Sequence, residues 1–168
     1  WQWWALALLT KELPPLPWPK LNFATHFPDS AEPLKMIRKC LEPHAAEFRS
    51  FIEWLLFCFG CPQTRQLPTG ATPALVAHWQ EHFDLKLLLD QPGDWLGHYY
   101  ETEIASRSAQ RAQGFFTTPP ALCRLLGEIT MTDADLMSSF NEPCCGTGRI
   151  LMEASNRCLN LSGQDINP

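Results

Sequence analysis

The sequence predicts an α/β fold in two parts: a helical N-terminal region over residues 1–105, then from 106 to 168 the beginning of a domain built on a parallel sheet. Three observations carry this. Apolar residues recur at helical spacing through the first hundred positions. Leu136 to Asn141, a glycine turn, a helix from Arg149 to Asn156 and the run Leu161 to Asp165 read as strand, helix and strand, an order that implies parallel pairing with a right-handed crossover. An acidic residue closes each strand, Glu142 and Asp165.

The elements follow in order. Pro14, Pro15, Pro17, Pro19 and Pro28 confine regular structure in the first thirty residues to a short apolar helix. A helix is expected from Pro33 to Leu41. A stronger one carries Phe48, Phe51, Ile52, Leu55, Leu56 and Phe59 on one face, with Gly60 placed to end it. Thr72-Pro73 is a cap and first-turn pair opening a helix that presents Leu75, Val76, Trp79 and Phe83 and runs to about Asp90. Another is expected from Trp95 to about Ser106. A polar linker from Ser106 to Gly114 leads to Thr118, which can cap a helix starting at Pro119 with Leu122, Leu125, Leu126 and Ile129 on its buried face. Asp133 to Asp135 make a turn before the first strand.

Composition bounds the function classes. With 45% hydrophobic and 18% charged residues, the 168-residue chain belongs with globular proteins, and its seven Trp and ten Phe can supply much of a core. The net charge of −5 gives no general attraction to nucleic acid, although a local basic surface remains compatible with it. The apolar runs from Trp3 to Leu9 and from Phe51 to Cys61 are too short to span a bilayer, and no basic region precedes the first as in a signal peptide. Seven cysteines in helical and glycine-loop settings read as reduced thiols, which predicts a cytoplasmic protein. The chain opens on Trp1 and stops at Pro168 directly after an apparent strand, so it reads as a fragment with a truncated second domain.

The glycine loop Glu142-Pro143-Cys144-Cys145-Gly146-Thr147-Gly148 is the most informative segment. Gly146 and Gly148 permit the tight turn and close backbone approach that a nucleotide-like ligand needs after a first strand. A dinucleotide fingerprint would place a third glycine at Leu151, and a phosphate-binding loop would follow Gly148 with Lys-Ser/Thr rather than Arg149-Ile150. Glu142 would oppose a pyrophosphate but favour an ammonium and a sulfonium. Asp165 falls where a second strand offers a carboxylate to ribose hydroxyls, and Ile166 can pack on adenine. The ligand of this description is S-adenosylmethionine. The competing account is a structural glycine turn with solvent-exposed acids.

Taken together, Gly114-Phe115-Phe116-Thr117-Thr118-Pro119, the glycine loop and Gln164-Asp165-Ile166-Asn167-Pro168 resemble N6-adenine DNA methyltransferases. The likeness is to the N-6 DNA methylase family, which includes modification subunits of type I restriction systems. It covers residue 114 onward, and before that only the helical character matches. The resemblance implies a Rossmann-like S-adenosylmethionine-dependent methyltransferase domain. Phe116, Thr118 and Pro119 would line the pocket on the methionine side, and Glu142 and Pro143 would lie at its amino end. The backbone of Cys145, Gly146, Thr147 and Gly148 would approach the cofactor. Asp165 would bind the ribose and Ile166 the adenine. It further implies DNA as partner, engaged through a downstream part of the protein, and admits a specificity subunit.

Departures from the family pattern are also visible. Glu142 stands for the more usual Asp, and Thr117 for a second aromatic. The Asn/Asp-Pro-Pro-aromatic motif, which in the family holds the target amine and stacks the flipped base, is absent. No catalytic residue is assigned for that reason, and the fragment alone is expected to be inactive and to bind cofactor weakly or not at all. Two alternatives stand beside this reading. One is an S-adenosylmethionine-dependent methyltransferase acting on RNA, protein or a small molecule. The other is a zinc-stabilised helical interaction module using Cys58, Cys61, His78 and His82, whose spacing exceeds the about twelve residues of a typical finger. Cys58 lies on the same face as Phe51, so core and helix-end thiols are the favoured account, and no metal ligand is assigned. Cys144 and Cys145 likewise read as small residues of a tight loop.

Overall fold

A computed structural model describes residues 20–42, 48–61, 64–105, 117–132 and 138–166. Outside these lie the Trp-rich start, the linker with Arg107 and Arg111, the Gly114-Phe115-Phe116 segment, the Asp133–Asp135 turn and Asn167-Pro168. The chain divides into two compact units, His26–Leu88 with Trp95–Ala109, and Trp1–Thr25 with Leu89–Asp94 and Gln110–Pro168.

The first unit is helical. Helix α1 spans Glu32–Leu41, with Pro33 and Glu32 in its first turn and Arg38 and Lys39 in its last, the arrangement that suits the helix dipole. It buries Leu34, Met36, Ile37, Cys40 and Leu41. Helix α2, Phe48–Cys58, ends at Gly60, whose φ of 69° lets the Cys61 N–H reach back to the Leu56 carbonyl at 2.9 Å. Its buried side chains are Phe51, Trp54 and Leu55. Leu56 and Phe59, expected inside, are 40% and 48% exposed. The turn of the helix is set by Trp54, which packs with Phe51 against Trp79 at ring-centroid distances of 5.4 and 5.6 Å, so that Phe51 and Leu55 of the expected face stay inside while Leu56 and Phe59 turn outward. Cys58, placed by its spacing on the Phe51 face, is likewise exposed.

Helix α3 spans Pro73–His82, and the Thr72 hydroxyl accepts from the Leu75 N–H at 3.2 Å, as the cap motif predicts. It stops short of Asp90. The Asp84 carboxylate accepts the Lys86 N–H at 2.8 Å and starts a separate helix, α4, over Leu85–Asp90. Helix α5, Trp95–Tyr99, runs into a π-helical turn over Tyr100–Ile104. On the surface of this unit the Arg38 guanidinium bridges Asp29 at 2.8 Å and Glu103 at 2.7 Å.

The second unit carries the sheet. Helix α6 covers Pro120–Thr130, strand β1 Ser139–Glu142, helix α7 Arg149–Ala154 and strand β2 Asn160–Gly163. The strands pair in parallel, with Ser139 opposite Asn160 and Glu142 opposite Gly163. This is the predicted strand–helix–strand order, with strand ends shifted by one to three residues. Met131, Ala154 and Cys158 form the core, joined by Phe140 and Leu161. The buried face of α6 differs from expectation. Cys123 and Gly127 are buried, whereas Leu122, Leu125 and Ile129 are 43%, 54% and 62% exposed. Close approach decides this: a Cβ at Gly127 would lie 3.4 Å from the Glu153 Cβ of α7, so the small-residue face, not the most apolar one, meets its neighbour. No described helix is long and apolar enough to cross a membrane.

Candidate functional site

The loop after β1 is shaped by hydrogen bonds that continue the sheet. Beyond the last paired residues, the Gln164 N–H donates to the Glu142 carbonyl at 2.9 Å and the Cys145 N–H to the Gln164 carbonyl at 2.8 Å. The chain then turns through Gly146 and Gly148, with φ of 52° and 84°, and Gly148 becomes the N-cap of α7. Nothing lies within 4 Å of a Cβ built on either glycine. Both glycines therefore answer to backbone conformation, and the space over the loop is open.

Two carboxylates border that space. Glu142 ends β1 and accepts the Cys144 N–H through Oε1 at 3.3 Å, so its charge lies over its own turn. Asp165 stands two residues past β2, and its Oδ2 accepts the Gly146 N–H at 2.8 Å. The acid expected to bind ribose thus also touches the glycine loop. Ile166 beside it is 92% exposed. Pro143 is exposed, and Cys145 and Thr147 are half-buried. Burial, followed by the Asp165 and Glu142 carboxylates, pushes the Cys145 thiol up from its ordinary range, the opposite of what an activated nucleophile needs.

Thr118 and Pro119 enter the same unit by a route that capping logic misses. Pro119, not Thr118, is the N-cap of α6, and no side chain caps that helix. The Thr118 carbonyl instead accepts from Arg149 Nη1 at 3.3 Å and from the Cys123 Sγ at 3.6 Å. Its backbone is thereby tied to the residue directly after Gly148. Phe116 lies outside the described residues.

The second unit also holds a buried ion pair with no local signal in the sequence. Asp94 Oδ2 accepts from Arg149 Nε at 2.6 Å and from the Thr147 hydroxyl at 2.6 Å, and both charged side chains are 8% exposed. Asp94 reads locally as an acid ahead of the Trp95 helix, and Arg149 as a helix-starting residue. Nothing in the local pattern joins positions so far apart in the chain.

The zinc alternative does not assemble. Among the described residues no group of three or more His, Cys, Asp and Glu side chains is arranged to hold a metal. His78 and His82 do meet, rings 4.5 Å apart, but His78 Nε2 is hydrogen-bonded to the Lys39 carbonyl at 3.0 Å.

No curated protein and no solved structure matches the chain. A family match exists, and it spans the segment that holds Asp94, Thr118, the glycine loop and Asp165. Residues 91–167 match the family model of the N-6 DNA Methylase, so this segment is similar to that family of methyltransferases.

Proposed function

We propose that the protein serves as a site-specific DNA methyltransferase that uses S-adenosylmethionine to methylate adenine at N6. In this reading the strand–helix–strand segment is the opening of a Rossmann-like domain, and the protein works in the cytoplasm. One observation carries it: the glycine loop is flanked by two acids at the C-terminal ends of adjacent parallel strands, Glu142 closing β1 and Asp165 two residues past β2, the latter accepting the Gly146 N–H at 2.8 Å. The donor set fits this cofactor. Glu142 suits an ammonium or sulfonium, Asp165 suits ribose hydroxyls, and the absence of crowding over Gly146 and Gly148 leaves room for a ligand against the backbone. Thr118 and Pro119 would border the methionine side, and the exposed Ile166 would cover the adenine. The cofactor would supply an electrophilic methyl group. The described residues would bind and orient it, while the amine-holding Asn-Pro-Pro-aromatic motif belongs to a later strand of the family's domain.

Calorimetric titration of the full-length protein with S-adenosylmethionine tests the binding half. Glu142→Gln and Asp165→Asn should each weaken binding on the order of tenfold, the loss of one charge-assisted contact. The acceptor half is tested by mass spectrometry of nucleosides from treated DNA. N6-methyladenine is the expected product; methyl groups found instead on cytosine, RNA or protein would refute the assignment.

A further inference from the structure

Asp94 stands outside every residue so far given a ligand-binding role, yet it is the buried acid on which the glycine loop is anchored. Its Oδ2 takes the Thr147 hydroxyl and Arg149 Nε, each at 2.6 Å, and Arg149 Nη1 reaches on to the Thr118 carbonyl at 3.3 Å. One carboxylate oxygen thus ties the residue between the two glycines to the residue after them, and through Arg149 to the segment leading into α6. We infer that Asp94 is a positioning residue, which fixes the shape of the glycine loop and its spacing from Thr118-Pro119 before any cofactor arrives. The inference rests on the reading of this loop as the cofactor site.

Two physical arguments support it. A loop with two left-handed glycines has unusual conformational freedom, and a ligand that must order it loses affinity by doing so. Anchoring Thr147 between those glycines removes that loss in advance. A buried ion pair, moreover, is seldom more stabilising than an apolar pair of the same volume. Its presence here is better explained by what it holds in place than by stability alone. The bond geometry agrees: the same oxygen accepts from both partners, which brings the Thr147 hydroxyl and the Arg149 guanidinium to one anchoring point.

The test uses the full-length protein and S-adenosylmethionine as the titrant, with thermal unfolding of each variant followed without ligand. Thr147→Val keeps the shape and removes the hydroxyl; Thr147→Ser restores it. Positioning predicts that Thr147→Val weakens binding on the order of tenfold, that Thr147→Ser binds within about twofold of the unaltered protein, and that both melt alike without ligand. Asp94→Asn should weaken binding at least as much. Unaltered affinity in Thr147→Val and Asp94→Asn overturns the inference, as does an affinity loss that merely follows a lowered melting temperature. If Asp94→Asn fails to fold, the two Thr147 variants still decide. Absence of binding by the unaltered protein would refute the cofactor reading itself, a result distinct from the failure of Asp94 as its anchor.

Discussion

Replacing Gly163 by alanine separates crowding from backbone conformation in this site. A Cβ there would stand 2.6 Å from Leu151 Cδ1 and 3.1 Å from both the Cβ and the Sγ of Cys145. Carbon atoms in ordinary contact lie about 3.5–4.0 Å apart, so the Leu151 methyl must withdraw by roughly an ångström. That methyl ends a flexible side chain and can move. Cys145 cannot move so cheaply, because its N–H is bonded to the Gln164 carbonyl at 2.8 Å. Overpacking of this kind costs about 1–3 kcal/mol. Alanine's smaller entropy loss on folding returns about 0.5–1 kcal/mol. The expected net effect therefore lies between about 0 and 2.5 kcal/mol of destabilisation.

Gly148→Ala should cost a similar amount for a different reason. Nothing crowds its Cβ, but φ is 84°, and the left-handed region costs a non-glycine residue about 1–2 kcal/mol. Leu151→Ala distinguishes the two. Added to Gly163→Ala it removes the clashing methyl, so the double variant should be more stable than the sum of its single effects, whereas with Gly148→Ala it should be additive. Urea unfolding followed by circular dichroism measures all five variants. Additivity in the Gly163 pair would refute the crowding argument.

Further outcomes are expected elsewhere. Asp94→Ala leaves the buried Arg149 charge without its carboxylate and should destabilise by about 3–5 kcal/mol, while the paired change Asp94→Leu with Arg149→Met should cost far less; denaturant midpoints compare them. Thr72→Ala removes the cap of α3 and should cost about 1 kcal/mol in the same assay. Burial pushes the Cys40 and Cys123 thiols up to about 11, so the unfolded chain releases those protons first. Stability should then hold below pH ~9 and fall as pH rises toward about 11, visible in melting curves across that window. At pH 8 an alkylating reagent should modify the exposed Cys144 well before the buried Cys40, Cys123 and Cys158, as peptide mass mapping would show.

What could be read from the sequence was local. The Thr72-Pro73 cap, the Gly60 helix end and the strand–glycine–helix–strand order each depend on neighbours within a few residues, and each appears where the pattern puts it. The misplacements have one cause: burial is settled by what an element meets. The apolar stripe of α6 pointed to Leu122, Leu125 and Ile129, but contact with α7 selected Gly127 and Cys123. On α2 the predicted face keeps Phe51 and Leu55 inside, while Leu56 and Phe59 give way to Trp54 because Trp79 lies opposite it. The Asp84 cap is masked in the sequence because the apolar spacing runs on through it. The Asp94–Arg149 pair is the extreme case, since neither residue carries any local sign of the other.

The third glycine of a dinucleotide fingerprint is replaced here by Leu151. In a dinucleotide site that glycine lies on the helix and lets it pack closely on the strand. Here Leu151 occupies the helix position, and the close approach is granted from the other side, by Gly163 on β2, whose absent side chain leaves room for Leu151 Cδ1. Leu151 alone is therefore a weak argument against a dinucleotide, because the packing need is met by other means. An acid after the second strand suits ribose in either class of ligand, so Asp165 does not discriminate. Glu142 does, because its carboxylate folds back onto the Cys144 N–H and keeps its charge over the loop. At 4 Å and an effective dielectric of about 20, a like charge is disfavoured by about 4 kcal/mol, nearly three decades in affinity. The proposed preference for a phosphate-free cationic ligand therefore rests on Glu142. The test is a comparison of S-adenosylmethionine with a dinucleotide in protein carrying Glu142→Gln, where the gap between the two ligands should narrow.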